Sequence, residues 1–267
     1  MEPATIVAAD VDTRDDLTAW GSVGQAVRVP TLLELTAALD AKVYPAGVVD
    51  PNLPATIRIV GNPDLKSEKL RAYEAGVRWK SGPDWSVDLA GFVYDYRDYV
   101  LVTADQNYVQ PRPPALVLAQ RFQNGIVGEA YGGELAVRWD PAPWWRLGAS
   151  CNYVQIQLHT MMSDPFGYEQ DEDTTPHTAF VVTSDWRLGR RWQLHAAGRY
   201  GDPVPYYGIP AYVELDARVA CQIRPDIELS LVGRNLLDAQ HPEYDSALNR
   251  RLTELRRSVQ LILSWKR

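Results

Sequence analysis

Apolar and polar residues alternate along most of this chain, in runs that are separated by turns or polar loops. The last run places Val259, Leu261, Leu263 and Trp265 on one side and Ser258, Gln260 and Ser264 on the other, with Ile262 as the exception. A period of two is typical of a β-strand whose faces meet different environments. The end of the chain is therefore predicted to be a strand with one apolar and one polar face.

The same alternation recurs upstream and predicts an all-β fold. Runs occur at 17–26, 73–79, 85–99, 131–139, 145–153, 176–186, 192–200, 212–223 and 227–234, and Phe122 begins a further stretch. Turn residues at 80–84 and 140–143 join neighbouring runs, as in β-hairpins. The pattern predicts an antiparallel up-and-down sheet of about ten strands, each near the roughly 9 to 11 residues that cross a bilayer.

Connections alternate between short turns and long polar loops, and the aromatic residues follow the same division. Tryptophans adjoin the short turns or the chain end, at Trp79, Trp85, Trp139, Trp144, Trp145, Trp186, Trp192 and Trp265. Tyrosines are predicted at the opposite ends of the strands, at Tyr94, Tyr96, Tyr99, Tyr200, Tyr206, Tyr207 and Tyr212. Two aromatic belts around an apolar band are typical of a transmembrane β-barrel. A soluble sandwich with a packed aromatic core explains neither feature.

Charged residues occupy the second face of the predicted strands, and both signs are present. They are Glu74, Arg78, Asp88, Glu134, Arg138, Arg199, Glu214, Asp216, Arg218, Glu228 and Arg234. A pore selective for one kind of ion would show one sign of charge. The mixture predicts a hydrated lumen in which these side chains pair with each other or with a plug.

Composition excludes several other classes. Lys and Arg total 27 against 34 for Asp and Glu, a formal charge of −7, and no basic run would follow a nucleic acid backbone. No stretch approaches the roughly 18 apolar residues of a membrane helix, and the N-terminus lacks the pattern of a secretory signal. Cys151 and Cys221 are predicted to be small apolar residues, and no metal-ligand spacing occurs.

Short motifs then point to a family. The segment Gly233, Asn235, Leu236, Leu237, Asp238, His241, Glu243 and Tyr244 resembles the "GxNLLDxxHxEY" that enters the last extracellular loop of TonB-dependent outer-membrane receptors. Those receptors usually end on an aromatic residue, whereas this chain ends with Trp265 followed by Lys266 and Arg267. The final strand would carry the signal that the barrel-insertion machinery reads.

Two further motifs occur in the order that the family has them. Arg28, Pro30, Glu34 and Leu35 match "FRxPxxxEL", with Val27 in place of phenylalanine. Gly61, Asn62, Pro63, Leu65 and Glu68 match "GNPxLKPE", with Ser67 in place of the second proline. The resemblance covers the chain from about Leu17 to Trp265.

The resemblance implies the C-terminal portion of a larger barrel of roughly 22 strands. Residues 17–267 are predicted to be this partial barrel domain and residues 1–16 a disordered lead-in, which is too short for the plug domain and the TonB-binding box. The implied function is an energy-coupled receptor for a ferric siderophore or similar iron complex, in the outer membrane of a Gram-negative bacterium. Vitamin B12, another metal chelate or a carbohydrate is equally compatible with the strands.

The resemblance also sets the expected partners. They are outer-membrane lipid, the iron complex, and TonB only through the missing plug. Ligand contacts are expected in the long loops at 44–63, 107–120, 159–175, 201–211 and 239–254, without any residue being assigned. No cofactor is implied, and a truncated chain is not expected to transport alone.

Enzymatic chemistry finds little support. His177 and His195 are interpreted as solvated polar residues. His241, Glu243 and Glu254 are interpreted as part of a solvated loop, because no nucleophile accompanies them. Two alternatives stay open: a small self-contained barrel that acts as a hydrolase or resembles a porin, and a decayed receptor fragment without activity.

Overall fold

The structure is a computed structural model that describes residues 5–14, 16–164, 167–244 and 253–266. Strands account for 70% of these described residues and helices for 6%, so the predicted all-β class is confirmed. In chain order the strands are β1 Thr5–Arg14, β2 Leu17–Arg28, β3 Ala38–Tyr44, β4 Ala55–Val60, β5 Glu68–Ser81, β6 Trp85–Ala104, β7 Tyr108–Pro111, β8 Pro114–Ala142, β9 Trp145–Thr160, β10 Thr178–Leu188, β11 Trp192–Gly201, β12 Tyr212–Arg224, β13 Ile227–Arg234, β14 Gln240–Tyr244, β15 Thr253–Arg256 and β16 Ser258–Trp265.

Helical structure is confined to the connections. Helix α1, Leu32–Thr36, lies between β2 and β3, and two 3-10 turns occupy Tyr168–Asp173 and Pro205–Tyr207. Within the described ranges, no helix is both long enough and apolar enough to cross a membrane.

The main sheet is an antiparallel meander. Its path is β1-β2-β5-β6-β8-β9-β10-β11-β12-β13-β16, which is eleven strands. Every neighbouring pair along this path is antiparallel. Among the described strands β1 and β16 do not pair with each other, so the sheet is an open partial barrel, as predicted.

The predicted disorder of residues 1–16 is wrong for most of that segment. Strand β1 pairs with β2 from Thr5 opposite Gln25 to Arg14 opposite Leu17. Its Val7 and Ala9 lie opposite Val23 and Gly21, so β1 continues the alternation of its neighbour. Three of the ten residues of β1 are acidic or basic, and they obscure the alternation in the sequence. Residues 1–4 and 15 lie outside the described residues.

One face of the main sheet is apolar and bare. The side chains of Leu89, Val182 and Leu231 are 49%, 53% and 50% exposed although they lie in the middle of paired strands. Monomeric soluble proteins rarely expose a contiguous apolar surface of this extent. We call this surface the apolar face and the opposite one, which carries the charges, the polar face.

Short turns lie at one end of the sheet and long loops lie at the other, as predicted. The tryptophans gather at the end with the short turns, where Trp85 lies opposite Trp139 and Trp145 opposite Trp186. The ring centroids of Trp85 and Trp139 are 4.9 Å apart, and those of Trp139 and Trp145 are 6.3 Å apart. The predicted tryptophan belt is therefore confirmed at what we call the short-turn end.

The tyrosine belt agrees with the prediction in part. Tyr200 lies towards the other end of the sheet, the long-loop end, with its ring centroid 5.7 Å from that of Phe180 on the apolar face, whereas Tyr94 lies on the polar face and donates to Glu74 at 2.7 Å. Tyr73, Tyr131 and Tyr153 also lie on the apolar face towards that end, each about two fifths exposed. A belt of tyrosines exists, but position along a strand did not identify the face on which each ring lies.

The largest fully buried side chains lie beyond the apolar band, at the long-loop end. Strand β8 is 29 residues long and extends past its neighbours, and β4 pairs with this extension in parallel while β7 pairs with it antiparallel. Leu101, Val117 and Ile126 are at most 1% exposed there. The loops predicted at 44–63 and 107–120 therefore contain ordered strands. Short strands flanked by proline give little periodic signal.

Candidate functional site

The charges of the polar face pair with one another across neighbouring strands. Arg78 contacts Asp88 at 2.7 Å, Arg199 contacts Glu214 at 2.7 Å and Asp216 at 3.1 Å, and Arg218 contacts Glu228 at 2.6 Å. His195 contacts Asp185 at 2.8 Å. The pairs neutralise most of the wall while keeping it polar, which suits contact with water or with a polar protein surface.

Arg28, at the end of β2, connects the first two motifs through hydrogen bonds. Its guanidinium forms hydrogen bonds with Glu34 of α1 at 3.0 Å and with Glu68, the first residue of β5. Glu68 also accepts a 2.8 Å hydrogen bond from the backbone N–H of Val100 in β6. Arg28 therefore links α1 to the start of β5, and Glu68 extends the link to β6. We call this set the Arg28 junction.

Helix α1 is positioned by its own first residues. Thr31 caps it, and the Glu34 carboxylate accepts from the Thr31 backbone N–H at 2.7 Å while the Glu34 N–H donates to the Thr31 hydroxyl. Burial by itself raises the pKa of Glu34. The hydrogen bonds from Arg28 and Thr31 together lower this pKa by more than burial raises it, so the net pKa lies below its ordinary value. Glu34 is therefore ionised at neutral pH and available to Arg28.

The second motif passes directly beneath this helix. The N–H of Gly61 donates to Ala37 O at 2.7 Å, and the N–H of Asn62 donates to Glu34 O at 2.8 Å. The Asn62 amide donates to Phe122 O at 3.0 Å, which anchors the segment on β8. A side chain on Gly61 would lie 2.5 to 2.6 Å from backbone atoms of residues 35 to 37. Glycine is needed here because backbone packs on backbone.

Gly61→Ala is expected to destabilise the long-loop end by about 1 to 3 kcal/mol, since the added methyl group has no flexible neighbour to displace. The matched control is Gly198→Ala, because an added Cβ there meets nothing within 4 Å. Chemical unfolding of the reconstituted chain measures both variants. Equal midpoints would show that α1 moves freely away from Gly61.

Asn235 organises the third motif, at the end of β13. It has a left-handed backbone with φ of 48° and is 1% exposed. Its N–H donates to Asp216 at 3.0 Å and its side-chain amide donates to Leu255 O at 3.1 Å. Asparagine tolerates this backbone region better than most residues. The turn directs the chain from β13 into the β14–β15 hairpin.

His241 is not in a solvated loop, so that interpretation is wrong. It lies in strand β14 and is 6% exposed, with its ring stacked on Tyr212 at 4.7 Å. Its Nε2 lies 3.2 Å from Glu243, and its Nδ1 lies 3.6 Å from Asp238. The hairpin buries the ring against β12, which the local sequence does not reveal. The segment 245–252 of the predicted loop lies outside the described residues.

The remaining motif residues lie around the Arg28 junction and the Asn235 turn. Pro30 precedes α1, Leu35 lies within it, and Pro63 and Leu65 follow Asn62 in the turn before β5. The N–H of Leu236 donates to Leu215 O at 2.9 Å, whereas Leu237 is 54% exposed. Gly233 is the penultimate residue of β13, where an added Cβ would meet Leu236 at 2.7 Å, and Tyr244 ends β14.

Trp265 lies apart from the other motif residues. It is at the short-turn end, where its indole N–H donates to Asp226 at 3.2 Å. It belongs with the tryptophan belt rather than with the long loops.

The sequence did not indicate several residues that hold the second motif and the Asn235 turn in place. Asn124 accepts from Lys66 N at 2.8 Å and donates to Lys66 O at 3.0 Å and Asp98 O at 2.6 Å. Tyr212 and Asp216 hold the third motif in place, as described above. An asparagine beside a glycine, at Asn124 and Gly125, was the available signal that β8 is irregular at this point.

Within the described residues, no group of three or more His, Cys, Asp or Glu side chains is arranged to hold a metal ion. Cys151 and Cys221 are free thiols. His177 contacts Asp173 at 4.0 Å, beyond hydrogen-bonding distance. Apart from Trp265, the motif residues lie at the long-loop end, where they shape its turns and strand ends.

An open antiparallel wall with one bare apolar face, one charged face and aromatic residues at its short-turn end defines a section of a β-barrel. A family profile described as "TonB dependent receptor-like, beta-barrel" matches residues 8–236. The chain therefore belongs to the TonB-dependent receptor family, whose members are outer-membrane transporters rather than enzymes.

Solved structures give the same fold. The siderophore receptor PirA from Acinetobacter baumannii has a TM-score of 0.71 and 15% identity, over 98% of this chain and 40% of that one. A mutant of the ferric enterobactin receptor PfeA from Pseudomonas aeruginosa, in complex with enterobactin, has a TM-score of 0.73 and 13% identity, over 98% and 40%. The copper transporter OprC has a TM-score of 0.64 and 16% identity, over 97% and 39%.

The chain thus spans about two fifths of the length of the solved receptors that it matches. At these identities the likeness establishes the fold alone. A comparison with curated proteins finds no significant match.

Proposed function

We propose that this chain forms the C-terminal wall of an energy-coupled outer-membrane receptor, and that the receptor imports a ferric siderophore or a similar iron complex. The observation that carries the proposal is the pairing of a bare apolar face with an internally neutralised polar face on one eleven-strand sheet. A wall between hydrocarbon and a hydrated lumen needs both faces at once.

The apolar face supports contact with the lipid of the outer membrane of a Gram-negative bacterium. The tryptophan belt would lie at the periplasmic interface, because short turns face the periplasm and long loops face the exterior in bacterial barrels. The Arg28 junction and the Asn235 turn then lie on the extracellular side.

The polar face supports contact with a plug domain inside the lumen. TonB would act through that plug rather than on the wall itself. Glu134 lies between Ala90 and Asn152 on neighbouring strands. Its carboxylate faces the lumen in this assignment and is positioned for a polar or cationic group of the plug.

The ligand assignment is supported by what the similar structures are named for. PirA is named as a siderophore receptor, and the PfeA structure contains enterobactin, whereas OprC is named as a copper transporter. The long-loop end offers a surface for such a ligand, since β4 and β7 pair there with the extension of β8. We propose an iron complex as the ligand because two of these three structures are named as siderophore or ferric enterobactin receptors.

Ligand uptake tests the proposal. Receptor-deficient cells that express residues 1–267 behind an added signal peptide are compared with cells that also express a plug-bearing N-terminal receptor segment. We expect energy-dependent uptake of a ferric siderophore only when both parts are present. Energy-dependent uptake by residues 1–267 alone would overturn the proposal, and so would failure of the chain to enter the outer membrane in either strain.

A further inference from the structure

Positive charge is concentrated at the short-turn end of the last five strands of the main sheet. Arg190 and Arg191 lie in the turn between β10 and β11, Arg224 is the last residue of β12, and Lys266 follows β16. All four side chains are exposed. Asp226 supplies one negative charge in the turn between β12 and β13. We call Arg190, Arg191, Arg224 and Lys266 the cationic rim.

The residues of the cationic rim lie on neighbouring strands. The N–H of Gln222 donates to Arg191 O at 2.8 Å, which places Arg191 beside the end of β12. The N–H of Lys266 donates to Asp226 O at 2.9 Å, which places Lys266 beside the turn between β12 and β13. Neighbouring strands are about 4.8 Å apart. From β11 through β12 and β13 to β16 the rim therefore extends over about 15 Å.

The acidic residues of these strands have other partners. Glu228 contacts Arg218 at 2.6 Å on the polar face, and Asp226 accepts the indole N–H of Trp265 at 3.2 Å. Among the described residues, no carboxylate forms a salt bridge with a side chain of the cationic rim. The rim therefore keeps a net positive charge, although the formal charge of the whole chain is −7.

The short turns earlier in the chain carry balanced charges. Asp140 contacts Arg146 at 2.8 Å and Arg138 at 3.2 Å in the connection between β8 and β9. Lys80 and Asp84 flank the turn between β5 and β6. The excess of positive charge is thus confined to one part of the short-turn end. A requirement common to all short turns would not produce this difference.

Large apolar side chains lie next to the cationic rim on the apolar face. Trp192, beside Arg191 in sequence, is 48% exposed, and Trp265, beside Lys266, is 66% exposed. Indole rings collect at the boundary between hydrocarbon and headgroups. A strand rises about 3.3 Å per residue, so cations one or two residues further along lie at the level of lipid phosphates. A lipid contacts both the cations and the apolar side chains, whereas a soluble polyanion would contact only the cations.

We propose that the cationic rim binds the phosphate group of an anionic phospholipid, in the leaflet at the short-turn end. The inference rests on the proposed membrane-spanning function, which makes this the periplasmic leaflet. Guanidinium groups donate paired hydrogen bonds to phosphate oxygens. A zwitterionic headgroup would add its own ammonium group to this cationic surface, whereas phosphatidylglycerol would not. The rim therefore selects phosphatidylglycerol over phosphatidylcholine.

Quenching by brominated lipid measures this preference. A fluorophore is attached at Leu188→Cys, opposite Trp192, in the full chain with Cys151→Ala and Cys221→Ala. The chain is reconstituted at low ionic strength in brominated phosphatidylcholine, part of which is then replaced by unbrominated phosphatidylglycerol. Phosphatidylglycerol that binds beside the label relieves the quenching. The same label at Val87→Cys on β6, where the turns are balanced, is the reference.

We expect the relief at position 188 to correspond to about a tenfold preference for phosphatidylglycerol, against about twofold or less at position 87. The rim variant, Arg190→Gln with Arg191→Gln, is expected to lose the preference at position 188. The control variant, Lys42→Gln with Arg112→Gln, removes the same charge from exposed positions at the long-loop end and is expected to keep the preference.

Equal preferences at positions 188 and 87 would overturn the inference, and so would a preference that persists in the rim variant or disappears in the control variant. Strong quenching at both positions without any preference would also overturn it, while leaving the proposed function intact. Absence of quenching at both positions would instead refute the proposed function, since the apolar face would then not contact lipid. The comparison of the two label positions needs no substitution in the rim, so it stays decisive if the rim variant fails to fold.

Discussion

Leu261→Arg is expected to destabilise the folded wall in a bilayer by about 2 to 4 kcal/mol, because it places a charge on the apolar face near the middle of the hydrocarbon. Leu261 lies opposite Leu231, with three residues of β16 before it and four after it. Its side chain is 70% exposed, so the substitution creates no cavity. The loss of stability would come from placing a charge in the lipid hydrocarbon rather than from lost packing within the protein.

Gln260→Arg is the matched control, one residue away on the polar face opposite Val232. We expect its effect to be small, because the side chain would remain in water. Urea titrations of both variants refolded into lipid vesicles give the comparison. Similar losses for the two substitutions would contradict the assignment of the faces.

Gly132→Ala is expected to cost about 1 to 3 kcal/mol, because overpacking in an inflexible site forces the backbone to shift. An added Cβ at this position in β8 would come well inside 3.0 Å of the carbonyl oxygen of Tyr153 and would lie 2.7 Å from the Phe92 ring. The ring is part of a side chain that can rotate, but the carbonyl belongs to the backbone of the paired strand β9. Strand pairing therefore requires glycine here.

Gly198→Ala again provides the reference, since an added Cβ there is free of neighbours. A double variant, Gly132→Ala with Phe92→Leu, separates the two contacts. If the Tyr153 carbonyl dominates, the double variant stays as unstable as the single one in the same urea titration. Recovery of wild-type stability in the double variant would assign the effect to the ring, and an unaffected single variant would contradict both contacts.

The main sheet was predictable because each membrane strand repeats the same simple pattern. Strand β16 alternates except at Ile262, and the registers of β5 with β6 and of β12 with β13 follow from short turns. The prediction of about ten strands was confirmed by the eleven of the sheet. Period-two alternation identifies a strand wherever the two faces meet different environments.

The prediction failed where strands do not cross the apolar band. Strands β4 and β7 have six and four residues, and neither repeats the long alternation of the main sheet. Their positions depend on pairing with the extension of β8, at residues 55–60 and 108–111. Non-local pairing of this kind leaves little trace in a short stretch of sequence.

The candidate site shows the same limit. The motifs identified Arg28, Glu34 and Glu68 separately, but only the fold shows that one guanidinium joins them. His241 was interpreted as part of a solvated loop because no nucleophile accompanies it, whereas its ring is buried and stacked on Tyr212. Residue identities gave the family resemblance, and three-dimensional contacts gave the roles of the residues.

The central claim, that the apolar face of this wall contacts lipid, is tested by fluorescence quenching along β6. Single cysteines at successive positions from 86 to 93, in a chain with Cys151→Ala and Cys221→Ala, are labelled and reconstituted in vesicles with brominated acyl chains. We expect strong quenching at Val87, Leu89, Gly91 and Val93, and weak quenching at Ser86, Asp88, Ala90 and Phe92. Uniform quenching, or none, along the strand would contradict the claim.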